Sequence, residues 1–146
     1  MKLDESPPNV LRHAVVAIIV RDGRALFVQR SHAARAAAGY WTPVSGGVDS
    51  GEREIDAVAR EVREEVGLDV EAQSRVASIP THDGRYQLHF WTCRLIAGEP
   101  RPTSDEVADV GWFTPAELRT LRPVFEEDVA IVLRELSGRA VRDERL

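Results

Sequence analysis

A chain of 146 residues with 43% hydrophobic and 29% charged side chains has the size and make-up of one globular domain, and can bury roughly 70% of the surface its unfolded form exposes. Its 24 acidic against 19 basic side chains leave a formal charge of −5, which argues against a broad footprint on a nucleic acid polymer. The longest continuous apolar run, Ala14 to Val20, is far below the ~20 residues of a membrane helix, and the opening MKLDESPPNVLR lacks a signal-peptide apolar region, so a cytoplasmic protein without a membrane partner is expected.

Residues 1–11 read as a polar, proline-containing arm. The β-branched run HAVVAIIV (13–20) and the run ALFVQR (25–30) predict two strands, joined by Asp22-Gly23, a pair that tolerates the positive φ of a tight hairpin turn. The stretch 31–45, with a proline and a glycine inside it, predicts a loop and then a short strand. From Arg53 the period changes: Ile55, Val58, Val62 and Val66 recur every three or four residues, which predicts an amphipathic helix over Glu54–Val66 ended by Gly67. Val70–Ile79 and Tyr86–Ile96 predict strands around a second Asp-Gly turn, Asp83-Gly84, and Val110–Phe113 predicts a short strand. The lone Cys93 rules out an internal disulfide and reads as a small core residue. Thr114-Pro115-Ala116-Glu117 is a capping box that opens a helix running to about Leu136 with a break near Pro123, and the tail 139–146 is expected to fray. Strands of mixed order, with helices at the middle and the end, suggest an α/β sandwich in a single domain over 1–146.

At 100° per residue, Glu61, Glu64 and Glu65 fall within an arc of roughly 100° on one face of the predicted helix. Like charges at such spacings each cost a few tenths of a kcal/mol on an isolated helix, and Arg60 is the obvious internal partner. A solvated acidic face would explain this much. The helix is preceded, however, by Ser45-Gly46-Gly47-Val48-Asp49-Ser50-Gly51-Glu52, read as a loop whose glycines allow backbone groups to approach a ligand. Mg²⁺ prefers several oxygen ligands, and a carbonyl from such a loop beside a carboxylate cluster is a candidate site for it, with Gly46, Glu61, Glu64 and Glu65 as the candidate ligands.

The segment GGVDSGEREIDAVAREVREEVGL, Gly46 to Leu68, resembles the Nudix box at every defining position: Gly46, Glu52, Arg60-Glu61, Val62, Glu64-Glu65, Gly67 and Leu68. The resemblance implies an α/β/α sandwich with a mixed β-sheet and an enzyme that cuts a pyrophosphate linkage in a nucleoside diphosphate joined to another group, with Mg²⁺ or Mn²⁺ as cofactor. It implies that Glu64 and Glu65 bind metal, that Glu61 is a further ligand or the base, that Arg60 orients the glutamates, and that Glu52 ties the loop to the helix. An additional acid from outside the box is common in the family; Asp105, Glu106 and Asp109 are candidates here, with Glu106 favoured.

Arg30, Arg35 and Arg85 are candidates for substrate phosphates, because guanidinium forks suit phosphate oxygens. Trp41, or its neighbour Tyr40, is the candidate wall for stacking a base, whereas Trp91 and Trp112 lie in strand-like segments expected to pack. His32, His82 and His89 show no ligand spacing. Arg30-Ser31, Arg35 and Gly39 look like part of the upstream motif of coenzyme A pyrophosphatases, although Pro43-Val44-Ser45-Gly46 departs from its ending, and Tyr86 is similar to the tyrosine of diadenosine polyphosphate hydrolases. Nucleoside triphosphate pyrophosphatases are a third relation. The expected partner is a small nucleotide-like molecule, and a homodimer is left open. A non-catalytic binding module on the same fold is the alternative of another class; the intact box speaks against it.

Overall fold

A run of apolar residues on consecutive positions fits a strand only if both of its faces are covered. The computed structural model, which describes residues 10–34 and 36–144, meets that condition in β1 (Arg12–Arg21), where Ala14 to Ile19 are all buried. Val15, Ala17 and Ile19 enter one hydrophobic cluster and Val16 and Ile18 the other, because successive side chains point to opposite faces. β2 (Arg24–Arg30) continues the pattern, with Leu26 and Val28 on the first side and Ala25 and Phe27 on the second.

β1 pairs parallel with β6 (Tyr86–Ala97) and antiparallel with β4 (Val44–Gly47), and β6 pairs antiparallel with β5 (Asp69–Pro80), so the sheet is mixed. The predicted turn has φ 52° at Asp22 and 75° at Gly23, and from it β2 leaves to pair with β3 (Trp41–Thr42) and β7 (Val107–Phe113). Helix α1 (Glu54–Val66) covers one side of the sheet; α2 (Pro115–Thr120) and α3 (Glu126–Glu144) cover the other. The result is an α/β/α sandwich with a mixed sheet, as expected. No helix among the described residues is long and apolar enough to cross a membrane.

Helix α1 ends at Gly67 in the left-handed region (φ 73°), and the Thr114 box forms in full: the Glu117 amide donates to Thr114 Oγ1 at 3.2 Å and the Thr114 amide to Glu117 Oε1 at 2.9 Å. Three boundaries differ from expectation. Gly46 and Gly47 lie in β4 rather than in a loop, opposite Val15 and Ala14, since β1 offers them a ladder that no local signal reveals. β7 begins at Val107, three residues early, because β2 pairs with it as far as Arg30. The α3 backbone runs to Glu144 rather than ending near Leu136; Arg139, Ala140 and Arg142 favour helix. Most of the expected N-terminal arm lies outside the described residues.

Candidate functional site

The apolar stripe of α1 decides where its charges go. Ala57, Val58, Val62 and Val66 are fully packed against the sheet, and the neighbouring Glu61 and Glu65 are carried down with them to 8% and 7% exposure. The Glu64 side chain stays 58% exposed. Opposite Glu61 the β4 backbone comes close: a Cβ added to Gly46 would stand 2.0 Å from Glu61 Cδ and 2.3 Å from either carboxylate oxygen. Only glycine leaves that space to the carboxylate.

Arg60 is the hub of the site. Its Nε and Nη2 donate to the two Glu52 carboxylate oxygens, both at 2.9 Å, and Nη2 also donates to the Gly47 carbonyl at 2.9 Å. Nη1 donates to Glu61 at 2.8 Å and to Glu64 at 3.3 Å. One planar fork therefore ties the segment before α1 to the strand and to two of the three clustered glutamates, a pattern that a lysine's single ammonium cannot reproduce. Glu52 fixes the segment in turn, accepting the Asp49 amide at 3.0 Å.

Burial sets the electrostatics. It pushes the Glu65 carboxyl up to about 8, with the Glu61 charge adding to the rise, Arg30 opposing it and Glu106 adding further. Arg30 and Glu106 thus lie within reach of the Glu65 charge. Burial also raises Glu61, against the hydrogen bond and charge of Arg60. No three carboxylates, histidines or cysteines among the described residues already converge as a closed cation cage. The donor set still fits a hard divalent cation: two buried carboxylates held above their ordinary range, a third beside them, and a glycine backbone pressed against the first. Such a charge imbalance is what a cation would relieve.

The last four carbonyls of a helix have no partner within it. Here Arg63 O accepts from the Gly67 amide at 3.1 Å, Glu64 O from Thr103 Oγ1 at 2.8 Å, Glu65 O from the Thr103 amide at 3.0 Å and Val66 O from the Arg101 amide at 3.1 Å. Beyond Thr103 the same segment reaches β2: Ser31 donates from its amide to Glu106 O at 2.8 Å and from its hydroxyl to Asp105 O. The other end of α1 is anchored by Glu54, which accepts Trp91 Nε1 at 2.8 Å and two donors of Arg75 at 2.8 and 3.2 Å. Beside it the buried His89 bonds to His13 at 2.9 Å and Ser78 at 3.1 Å, and burial lowers its pKa.

The structure thus gathers Gly46, Arg60, Glu61, Glu64 and Glu65, with Arg30 and Glu106 close by. The Arg30 Nε also donates to Ala36 O at 2.7 Å, which steadies the loop after β2. Trp41 is not gathered with them: it packs into the cluster beneath α3 with its ring edge-to-face on Phe113 at 5.2 Å, while Tyr40 stacks on Phe125 at 4.7 Å. Tyr86 opens β6 at the hairpin end of the sheet, bonded through its backbone to Thr81, and Arg85 sits exposed in the same turn. Asp109 is absorbed into β7 and accepts the Val110 amide at 2.8 Å. Arg35 lies outside the described residues. Sequence reading missed Thr103, whose partner Glu64 is 39 positions away, and no local pattern could have marked it.

Comparison with known proteins identifies the family. The family model described as the NUDIX domain matches residues 11–136. A Mycobacterium tuberculosis protein with the provisional name 8-oxo-dGTP diphosphatase 2 is 34% identical over 137 residues, covering 90% of this chain and 95% of its own. The CTP pyrophosphohydrolase of Escherichia coli is 32% identical over 130 residues, with 88% and 93% covered. Among solved structures, a MutT NUDIX hydrolase from Burkholderia pseudomallei superimposes with a TM-score of 0.74 at 28% identity, over 85% of this chain and 97% of that one. Nudix hydrolases generally use a divalent metal and act on small nucleotide substrates. With the box complete and its residues assembled around α1 and β4, the chain belongs to the Nudix hydrolase family.

Proposed function

We propose that this enzyme hydrolyses a pyrophosphate bond in a nucleoside diphosphate joined to a further phosphate or another group, with Mg²⁺ or Mn²⁺ held by Glu61, Glu64, Glu65 and the Gly46 carbonyl. The observation that carries the reading is the burial of Glu61, against the Gly46 backbone of β4, and of Glu65 on the same helix face, which holds both carboxyls above their ordinary range. When bound, the metal neutralises phosphate oxygens and lowers the pKa of water. The chain's own residues do the rest. Arg60 keeps Glu61 and Glu64 in place while bracing Glu52, and Glu61 or Glu106 accepts the proton of the attacking water. Arg30 meets a phosphate oxygen of the substrate, with Arg35 as a second candidate, and Tyr86 is the candidate for contact with the base, since Trp41 packs in the layer beneath α3.

Two relatives named for action on nucleoside triphosphates, 8-oxo-dGTP and CTP, support placing nucleoside triphosphates first in a substrate panel, ahead of coenzyme A and diadenosine polyphosphates. The panel should be incubated with Mg²⁺ or Mn²⁺ in ¹⁸O-labelled water and the products identified by mass. Expected is metal-dependent cleavage with label in one phosphate product, lost in a folded Glu61→Gln variant. Wild-type cleavage by that variant would remove Glu61 from the chemistry. Nucleotide binding without cleavage of any compound would favour the binding-module alternative.

A further inference from the structure

Two of the four metal candidates, Glu64 and Glu65, sit on the last turn of α1, where a helix frays unless its carbonyls are capped. Thr103 caps both of those residues at once, the hydroxyl at Glu64 O and the amide at Glu65 O, from a segment 39 positions away in the chain. That segment then carries Glu106 and is pinned to the end of β2 by both donors of Ser31, next to Arg30. The strap that carries Glu106 is thus tied at one end to the last turn of α1, by Thr103 and the Arg101 amide, and at the other to the end of β2 beside Arg30.

We propose that Thr103 is a positioning residue of the metal centre: its hydroxyl sets the register between the last turn of α1 and the strap that bears Glu106. The inference rests on the function proposed above and deepens it. Thr103 is itself exposed, so water can take over Glu64 O when the hydroxyl is removed, and the fold survives. What water cannot restore is the fixed distance between the helix end and Glu106. Misplaced supporting groups around a metal lower metal affinity and rate more than stability. Donation to Glu64 O and Glu65 O also offsets the negative pole of the helix at the point where the carboxylates gather.

The test compares Thr103→Val, which keeps the amide and nearly the shape but loses the hydroxyl, with Thr103→Ser, which keeps both donors. Mn²⁺ binding is titrated directly by calorimetry, and kcat, KM and Tm are measured beside it. Thr103→Val should weaken Mn²⁺ binding roughly fivefold, the loss expected for one hydrogen bond, and lower kcat at least as much while KM for nucleotide holds within about twofold. Thr103→Ser should return both within about twofold of the wild type. If Thr103→Val binds Mn²⁺ as the wild type does, or loses only Tm, the residue is a helix cap and nothing more, and the proposal is overturned. It is equally overturned if Thr103→Ser is as impaired as Thr103→Val, because the methyl group that faces Gly67 would then be what matters. Should Thr103→Val fail to fold, Thr103→Ala, which adds no bulk, repeats the measurement under the same criteria. A wild type that binds no Mn²⁺ would instead overturn the function proposed above, and this inference with it.

Discussion

Glu65 is where burial and the charges of the site meet on one carboxyl. It is 7% exposed, and its carboxyl is raised from 4.5 to about 8 by burial first, then by the Glu61 charge, with Arg30 opposing and Glu106 adding. A carboxyl raised in the folded state binds its proton more tightly there than in the unfolded chain. Its contribution is therefore present in acid and is lost as pH climbs from about 4.5 to about 8. Glu65→Gln removes the titration and the repulsion together. The metal-free variant should melt above the wild type at pH 8, with the gap narrowing at pH 5, and should lose most Mn²⁺ binding. Melts in chelator at the two pH values, with a Mn²⁺ titration, check this; a variant melting below the wild type at pH 8 would make the Glu65 charge a structural requirement. Glu64, 58% exposed and 3.3 Å from Arg60, gives the contrast. Glu64→Gln should change metal-free stability by no more than about 0.5 kcal/mol, while still weakening Mn²⁺.

At the scale of elements, each helix carries one set of side chains that its packing forces inward. In α1 the forced groups are acids that a cation can use. In α3 the counterpart is Asp128, one turn ahead of Ile131 and Val132 on the face packed against the sheet, and 7% exposed. Burial, then the neighbouring Glu127 charge, pushes its carboxyl from 3.8 up to about 7. The sign is the same as for Glu65: stability contributed by the protonated form fades between about 3.8 and about 7 as pH rises. Asp128→Asn should therefore raise Tm at pH 8, and the gain should shrink steadily toward pH 4. A gain that does not vary with pH would mean that Asp128 is not titrating in this range. A loss at pH 8 would mean that its negative charge is needed, as it would be if it faced a polar ligand group.

The whole molecule is a sheet covered on both faces, with the carboxylates on the α1 face and Trp41 in the layer beneath α3. Trp41 joins three parts of that layer: its strand pairs with Gln29 in β2, its amide donates to Pro123 O at 2.9 Å, and its ring meets Phe113 of β7. Truncating a large aromatic in such a position costs about 3 kcal/mol. Trp41→Ala should lower Tm markedly while leaving Mn²⁺ affinity unchanged, since the metal candidates sit across the sheet. Measuring affinity for a non-hydrolysable nucleotide in the same samples separates the two roles of the ring. A fall in nucleotide affinity at unchanged Tm would place the indole on the base, and a fall in Tm alone would assign it to packing.

The elements readable from sequence are those whose cause lies within a few residues. The Asp22-Gly23 turn rests on two positive φ values, helix α1 on a repeat of three to four, and the Thr114 box on a hydroxyl and a carboxylate three residues apart. The carboxylate face followed from the same helical geometry, and the family from the spacing of the box. Other features needed the assembled fold. That Gly46 and Gly47 belong to a strand depends on β1 lying beside them, and that Gly46 must be glycine depends on Glu61 lying opposite it. Which carboxyls are buried, and so which are raised, was decided by the side of α1 that meets the sheet. Thr103 joined the site through hydrogen bonds across 39 positions, and Trp41 joined the layer beneath α3 through Phe113 and Pro123. Local backbone preference and side-chain period are written in neighbouring residues, whereas burial and long-range pairing come from whatever the chain brings alongside once it has closed on itself.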